Sequence, residues 1–240
     1  MRRVLAQTGV ELKLTLRRGE SVLLALGIPI LLLVFFSTVD VLPTGTPDPV
    51  DFLAPGVLAL AIMSTAMVGL GIATGFERQY GVLKRLGSTP LGRTALLTAK
   101  TLAILAVEVL QVVVLVAVAL LLGWRPAGGS LGAAALAMLA ATVGFAGIGL
   151  AMAGSMRGEM VLAAANGLYL VLLLLGGMVV PVDELPGPLR TLAELLPAAA
   201  LSDALHSSFA GMAVPGRAWV VLVGWAIVAP ALAARTFRWE

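Results

Sequence analysis

The chain has 240 residues, of which 60% are hydrophobic and only 12% charged, with a formal net charge of +3. A mean hydropathy of +1.03 excludes an ordinary water-soluble domain, because one core of this size cannot hide so much apolar surface. The basic residues lie between apolar runs instead of forming a stripe, which argues against nucleic acid as a partner, and the absence of cysteine excludes disulfides and thiolate chemistry.

In chain order, Val4, Leu5, Thr8, Leu12 and Leu16 recur at helical spacing, while Arg2, Arg3, Glu11 and Lys13 occupy other positions. This pattern predicts an amphipathic helix lying in the membrane interface; a plain basic leader is the alternative. Apolar runs long enough to cross about 30 Å of hydrocarbon follow near 21–39, 53–76, 95–122, 131–154, 160–180 and 218–234. They predict an all-α integral membrane protein, one domain of six transmembrane helices embedded in the lipid bilayer. A cleaved signal peptide is the competing reading of the first run, but Ser37 to Pro43 contains no small-x-small cleavage site. Of the 16 Lys and Arg, only Arg125, Arg190 and Arg217 fall on the side opposite the N-terminus. That bias predicts a multi-pass protein of the cell membrane with both termini cytoplasmic.

The loop 77–93 between the second and third crossings carries the largest charged cluster. Leu83 and Leu86, with Lys84 and Arg85 turned elsewhere, predict a short amphipathic helix that Gly87 to Pro90 ends. A surface-parallel helix of this kind can plug into a groove on a soluble partner. The alternative, basic residues that merely set topology, leaves Glu77, Gly81 and Thr89-Pro90 unexplained. Gly87 to Thr94 nearly matches a phosphate loop with Arg93 in place of Lys, but the preceding element is a membrane span and not a buried strand.

With Glu77-Arg78, Gly81, Leu83, Leu86 and Thr89-Pro90-Leu91 in this order, the chain resembles the permease subunits of type-two ABC exporters, which include drug, polysaccharide and lipid exporters. A second local match runs through Pro181, Leu185-Pro186, Leu189, Leu196-Pro197 and Ala204-Leu205, although Leu196-Pro197 and His206 stand where family members commonly have Asn-Pro and Arg. The resemblance implies that this loop is a coupling helix docking on a separate nucleotide-binding ATPase subunit through Glu77, Arg78, Gly81, Leu83, Lys84, Leu86, Thr89, Pro90 and Leu91. It further implies a second permease subunit, identical or related, around a pathway that exports a hydrophobic or amphipathic substrate, a drug or lipid. This chain would bind no cofactor and catalyse no reaction itself; ATP and Mg would belong to the partner subunit.

Glu108 and Gln111 lie three residues apart on one face of the third crossing, with Glu108 near its middle. An ionised acid there costs about 2.5–3.5 kcal/mol on insertion scales, so it needs a partner or a wet cavity. One reading is a translocation pathway shared with Asn166 of the fifth crossing; the other is an interhelical hydrogen bond, with Asn166 as its acceptor or donor. The rival function is a proton-coupled secondary transporter using Glu108, a class that commonly shows internal repeats, and none joins residues 1–120 to 121–240.

Residues 181–217 are too apolar for a solvated loop. Leu185, Leu189, Leu192, Leu195 and Leu196 form a stripe interrupted by Pro186, Pro188 and Pro197, which predicts two short helices that either dip into the outer leaflet or lie on its surface. Ser202, Asp203, His206, Ser207 and Ser208 cluster as in a hydrolase, but neighbours in sequence rarely converge as a triad, so His206 reads as a polar anchor. Gly71-x-x-x-Gly75 and Ala140-x-x-x-Gly144 predict close helix approach, within the chain or between copies. Pro29 and Pro230 are expected to kink their spans.

Overall fold

The computed structural model describes residues 2–17, 19–39, 48–88, 91–179 and 181–238. All regular elements among them are helical: α1 (Arg2–Arg17), α2 (Gly19–Thr38), α3 (Pro49–Met63), α4 (Leu70–Gln79), α5 (Val82–Gly87), α6 (Arg93–Leu121), α7 (Leu131–Ser155), α8 (Gly158–Leu175), α9 (Gly187–Ala193), α10 (Pro197–Phe209) and α11 (Gly216–Thr236). A π-helical turn, Ser64–Gly69, joins α3 to α4, so Pro49–Gln79 is one uninterrupted rod. This rod, α6, α7, α8 and α11 are long and apolar enough to cross a membrane. The 20-residue α2, about 30 Å long at 1.5 Å per residue, is the sixth apolar rod. The chain is a multi-pass, all-α membrane protein. Pro29 and Pro230 both lie inside continuous helices.

Successive rods alternate in direction, which brings α1, α5 and the start of α6 to one end of the bundle, here the terminal end, together with the end of α11. The α3–α4 rod is the most enclosed crossing, whereas α8 and α11 turn most of their surface outward. Helix α7 is the hub and packs on α11, α4 and α10. Its small residues explain the close contacts. A Cβ on Gly149 would sit 2.5 Å from the Met67 carbonyl oxygen in the π turn, and one on Gly71 would meet the Gly149 backbone at 3.1 Å. Gly75 packs on Val161 and Gly144 on Trp225, so both small-residue patterns serve packing within the chain.

Two corrections to the expected elements have clear causes. The fifth crossing ends at Leu175 and not near 180, because Gly177 adopts φ 65 and reverses the chain. The inward face of α1 comprises Val4, Gln7, Thr8, Glu11, Leu12 and Thr15, with Glu11 the most enclosed, while Leu5 and Leu16 point outward. Of the predicted stripe, Val4, Thr8 and Leu12 face inward and Glu11 joins them, because its bond to Lys100 of α6 orients this helix.

The segment after α8 dips into the bundle. The Ser202 hydroxyl donates to the Gly177 carbonyl at 2.8 Å. The Trp225 indole donates to the Leu195 carbonyl at 3.0 Å, while Arg217 pairs with both Glu194 and Asp203. The turn between α9 and α10 thus lies between residues 217 and 225 of α11, one to two helical turns below its start. Most of α10 is buried, so the broken backbone is packed against protein, the condition under which lipid tolerates it. The hydrogen bond from Arg217 holds the Glu194 carboxyl below its usual range.

Candidate functional site

At the terminal end, α4 stops at Gln79 and the chain turns through Tyr80 and Gly81 into α5. Gly81 has φ 72, a left-handed backbone that costs an L residue about 1–2 kcal/mol. The Gly81 carbonyl then accepts from Arg85 at 3.3 Å, which starts the short helix. Leu83 is fully buried, whereas Lys84 and Arg85 are exposed, and Leu86 and Leu91 pack against the core. The Ser88 hydroxyl donates to the Arg85 carbonyl at 2.7 Å and closes the last turn. Thr89 and Pro90, two of the expected docking residues, lie outside the described residues.

Glu77 and Arg78 are held by different elements. Lys100 of α6 donates to Glu77 Oε2 at 2.6 Å and to Glu11 Oε2 of α1 at 2.9 Å. Gln7 adds a 2.8 Å bond to Glu11 Oε1. The Lys100 side chain is 2% exposed, so its charge is supported almost entirely by these carboxylates. Such a buried cation is costly unless paired and hydrogen-bonded. Arg78 Nη1 donates to the Ala153 carbonyl at 3.1 Å at the end of α7. Gln79 accepts from the Gly158 N–H at 3.0 Å and donates to Glu159 at 2.7 Å. The loop is therefore attached by named polar contacts to α1, α6, α7 and α8.

Lys100, Glu11 and Gln79 were not among the sequence candidates. A signal for Lys100 existed, since it lies inside the third predicted span, where a cation requires a partner. Its partners are 89 and 23 residues away and carry no local pattern.

Deeper in the bundle, Glu108 is buried and accepts a short hydrogen bond from the Thr142 hydroxyl of α7; its Oε1 has no hydrogen-bond partner among the described residues. Gln111 accepts from the Thr65 hydroxyl at 3.0 Å and donates to the Ala25 carbonyl at 2.9 Å. It joins α6 to the π turn and to α2. Asn166 is not the expected partner of either residue: it is exposed on α8, and its amide donates to the Leu162 carbonyl of its own helix at 2.8 Å.

Within the apparent hydrolase cluster the Ser202 hydroxyl lies 3.3 Å from His206 Nδ1, but the other contacts are not those of a triad. Both His206 nitrogens face backbone carbonyls, of Ser202 at 2.8 Å and Phe52 at 2.9 Å. The Ser202 proton goes to Gly177, and Asp203 pairs with Arg217. His206 therefore fastens α10 to the start of α3.

No curated protein matches the chain. A family model described as ABC-2 type transporter matches residues 3–210. That span includes the first five apolar rods and α10, the α5 loop and both carboxylates around Lys100, and ends before α11. With its fold and this match, the chain belongs to the ABC-2 type transporter family, as the membrane permease component of an ABC transporter that associates with an ABC ATPase subunit.

Proposed function

We propose that the chain is one half of the pathway of an ATP-driven exporter, with both termini and α5 in the cytoplasm of a cell-membrane protein. Two permease subunits, identical or related, surround the pathway, and an ATPase subunit docks on residues 77–91 of each. ATP and Mg are bound in that subunit, and none of the transport energy is released by chemistry in this chain. The cargo is hydrophobic or amphipathic, a drug or a lipid.

The observation that carries this reading is Lys100, which ties the base of the α5 loop at Glu77 to α6 and α1. A push delivered to α5 passes through a paired charge into a crossing helix, where a solvated loop would absorb it. The coupling contacts assigned to the ATPase are Glu77, Arg78, Gly81, Leu83, Lys84, Leu86, Thr89, Pro90 and Leu91. Of these, Lys84 presents the exposed charge, while Glu77 and Leu83 fix the loop's orientation. Glu108, Gln111 and Asn166 are assigned to the pathway: the first two as polar groups enclosed between crossings, the third as a polar group on the outward face of α8, where a second subunit can cover it.

Purification of the chain with its ATPase tests the proposal. Association is expected to fall on replacing Glu77 or Gly81 and to vanish on deleting residues 79–90. Retained association after the deletion refutes docking at this loop. Transport driven by a proton gradient without ATP replaces the motor with the Glu108-based alternative.

A further inference from the structure

A cleft of about 280 Å³ runs along one flank of the bundle between α6, α7 and α11. Helix α7 packs closely on α11, where a Cβ on Gly147 would sit 2.5 Å from the Pro230 nitrogen. Helix α6 touches both only sparsely, which leaves the gap. The walls are apolar except for Thr94, Thr98 and Thr101, which stand on successive turns of α6. The Thr101 hydroxyl donates to the Leu97 carbonyl at 3.0 Å. Thr94 and Thr98 are exposed, and their hydroxyls have no hydrogen-bond partner among the described residues.

The position of the cleft selects its occupant. On α7, Gly147 meets α11 and Gly149 meets the α3–α4 rod; residues two apart lie about 200° around a helix, so α11 and that rod flank opposite faces of α7. Helix α8 packs on the rod, through Val161 against Gly75. The cleft thus lies across the bundle from α8, the helix assigned to the second subunit, and opens sideways toward lipid. With 29 residues, α6 is about 43 Å long against about 30 Å of hydrocarbon, so its first turn, with Thr94, reaches headgroup level. From Arg93 to Thr101 is about 12 Å, and from the end of α7 back to Val143 about 18 Å, which brackets the roughly 15 Å of one leaflet. A drug-sized ligand needs about 300–1,000 Å³; this cleft suits a single chain.

No acid lines the cleft. Arg93 opens α6, and Arg235 and Arg238 lie at the end of α11. All three are exposed, and none forms an ion pair among the described residues. Their long stems let the guanidinium groups rise to headgroup level, where such cations attract anionic lipid.

We infer that the cleft is a binding site for one anionic phospholipid of the leaflet at the terminal end. An acyl chain lies between α6 and α11, and the phosphate meets the Thr94 and Thr98 hydroxyls and the arginines around the mouth. This lipid is resident and distinct from cargo. It fills the gap beside α6, the helix whose Lys100 holds the base of the α5 loop. The inference does not depend on the docking reading above.

The test uses the full chain in phosphatidylcholine vesicles that contain a minor fraction of phosphatidylglycerol with a photoreactive diazirine in its acyl chain. After irradiation, peptide mass spectrometry locates the adducts. They are expected to concentrate on residues 94–102 and 230–234, and unlabelled phosphatidylglycerol is expected to displace them. Replacing Arg93, Arg235 and Arg238 together by glutamine is expected to lower these adducts at least about fivefold. Ala234→Leu, which fills the cleft from the α11 wall, is expected to lower them as well; if that variant does not fold, the arginine variant, altered only at exposed side chains, decides. Adducts spread evenly over these segments and the outward faces of α2 and α8, or equal yields from phosphatidylcholine carrying the same diazirine, overturn the inference. Loss of the cleft adduct while the permease–ATPase complex turns over ATP identifies the lipid as cargo and also overturns it.

Discussion

Replacing Lys100 with methionine keeps the length and apolar stem of the side chain but removes the charge shared by Glu11 and Glu77. In the native arrangement the ammonium lies 2.9 and 2.6 Å from the two carboxylates. Removing one partner of a buried ion pair costs about 3–5 kcal/mol, because the remaining charge is left uncompensated. The carboxylates here retain 11% and 15% side-chain exposure and can draw in some water, so the lower end, about 3 kcal/mol, is expected for K100M. E77Q leaves the Lys100–Glu11 pair in place and is expected to cost about 1–2 kcal/mol. The triple variant E11Q/K100M/E77Q is expected to recover much of the K100M loss, since it removes the stranded charges as well as the bonds. Reversible unfolding in mixed micelles, followed by tryptophan fluorescence, measures all three. Stability of K100M within about 0.5 kcal/mol of wild type, or a triple variant no better than K100M, refutes the account of this site.

Gly81→Ala is expected to cost about 1 kcal/mol from its left-handed backbone alone, since an added Cβ meets nothing within 4 Å; copurifying ATPase should fall, and an undiminished yield argues against a fixed loop geometry. Gly149→Ala places its Cβ 2.5 Å from a backbone oxygen that cannot step aside, and a loss of about 1–3 kcal/mol is expected in the same unfolding assay. Glu108→Gln keeps an acceptor for the Thr142 hydroxyl, so ATP-driven transport in vesicles is expected to stay within about twofold of wild type; a loss confined to transport under a proton gradient favours the secondary-transporter reading.

Hydropathy located the crossings because a lipid solvent imposes long apolar runs on any helix that spans it. It misplaced the end of the fifth by continuing to 180, since Gly176 to Val179 are as apolar as the helix they terminate; the reversal depends on the backbone of Gly177. The α5 helix was legible from local chemistry: Leu83 and Leu86 one turn apart, and the stretch from Gly87 to Pro90 that ends it. Its attachment was not. Lys100 read as one of many topology-setting cations, and Glu11 as an outward polar residue, until the fold brought both against Glu77. Likewise, the face Asn166 presents depends on how α8 is rotated in the bundle, which periodicity along one helix leaves open. The π turn lacks a sequence signature because it depends on hydrogen-bond register, including the bond from Thr65 to Gln111.

That π turn sets the azimuth of the half of its rod that runs to the terminal end of the bundle. In a helix of 3.6 residues per turn, one added or missing residue rotates the remainder of the helix by about 100°. Ser64–Gly69 holds such extra length in the middle of the rod that ends just past Glu77. Drawing these six residues into regular α-helix at unchanged sequence would swing the Glu77 carboxylate by about 100° away from Lys100, because the wider turn winds six residues through about the angle of five α-helical ones. Slack wound into mid-membrane is therefore what points the far tip of the rod at its counter-charge.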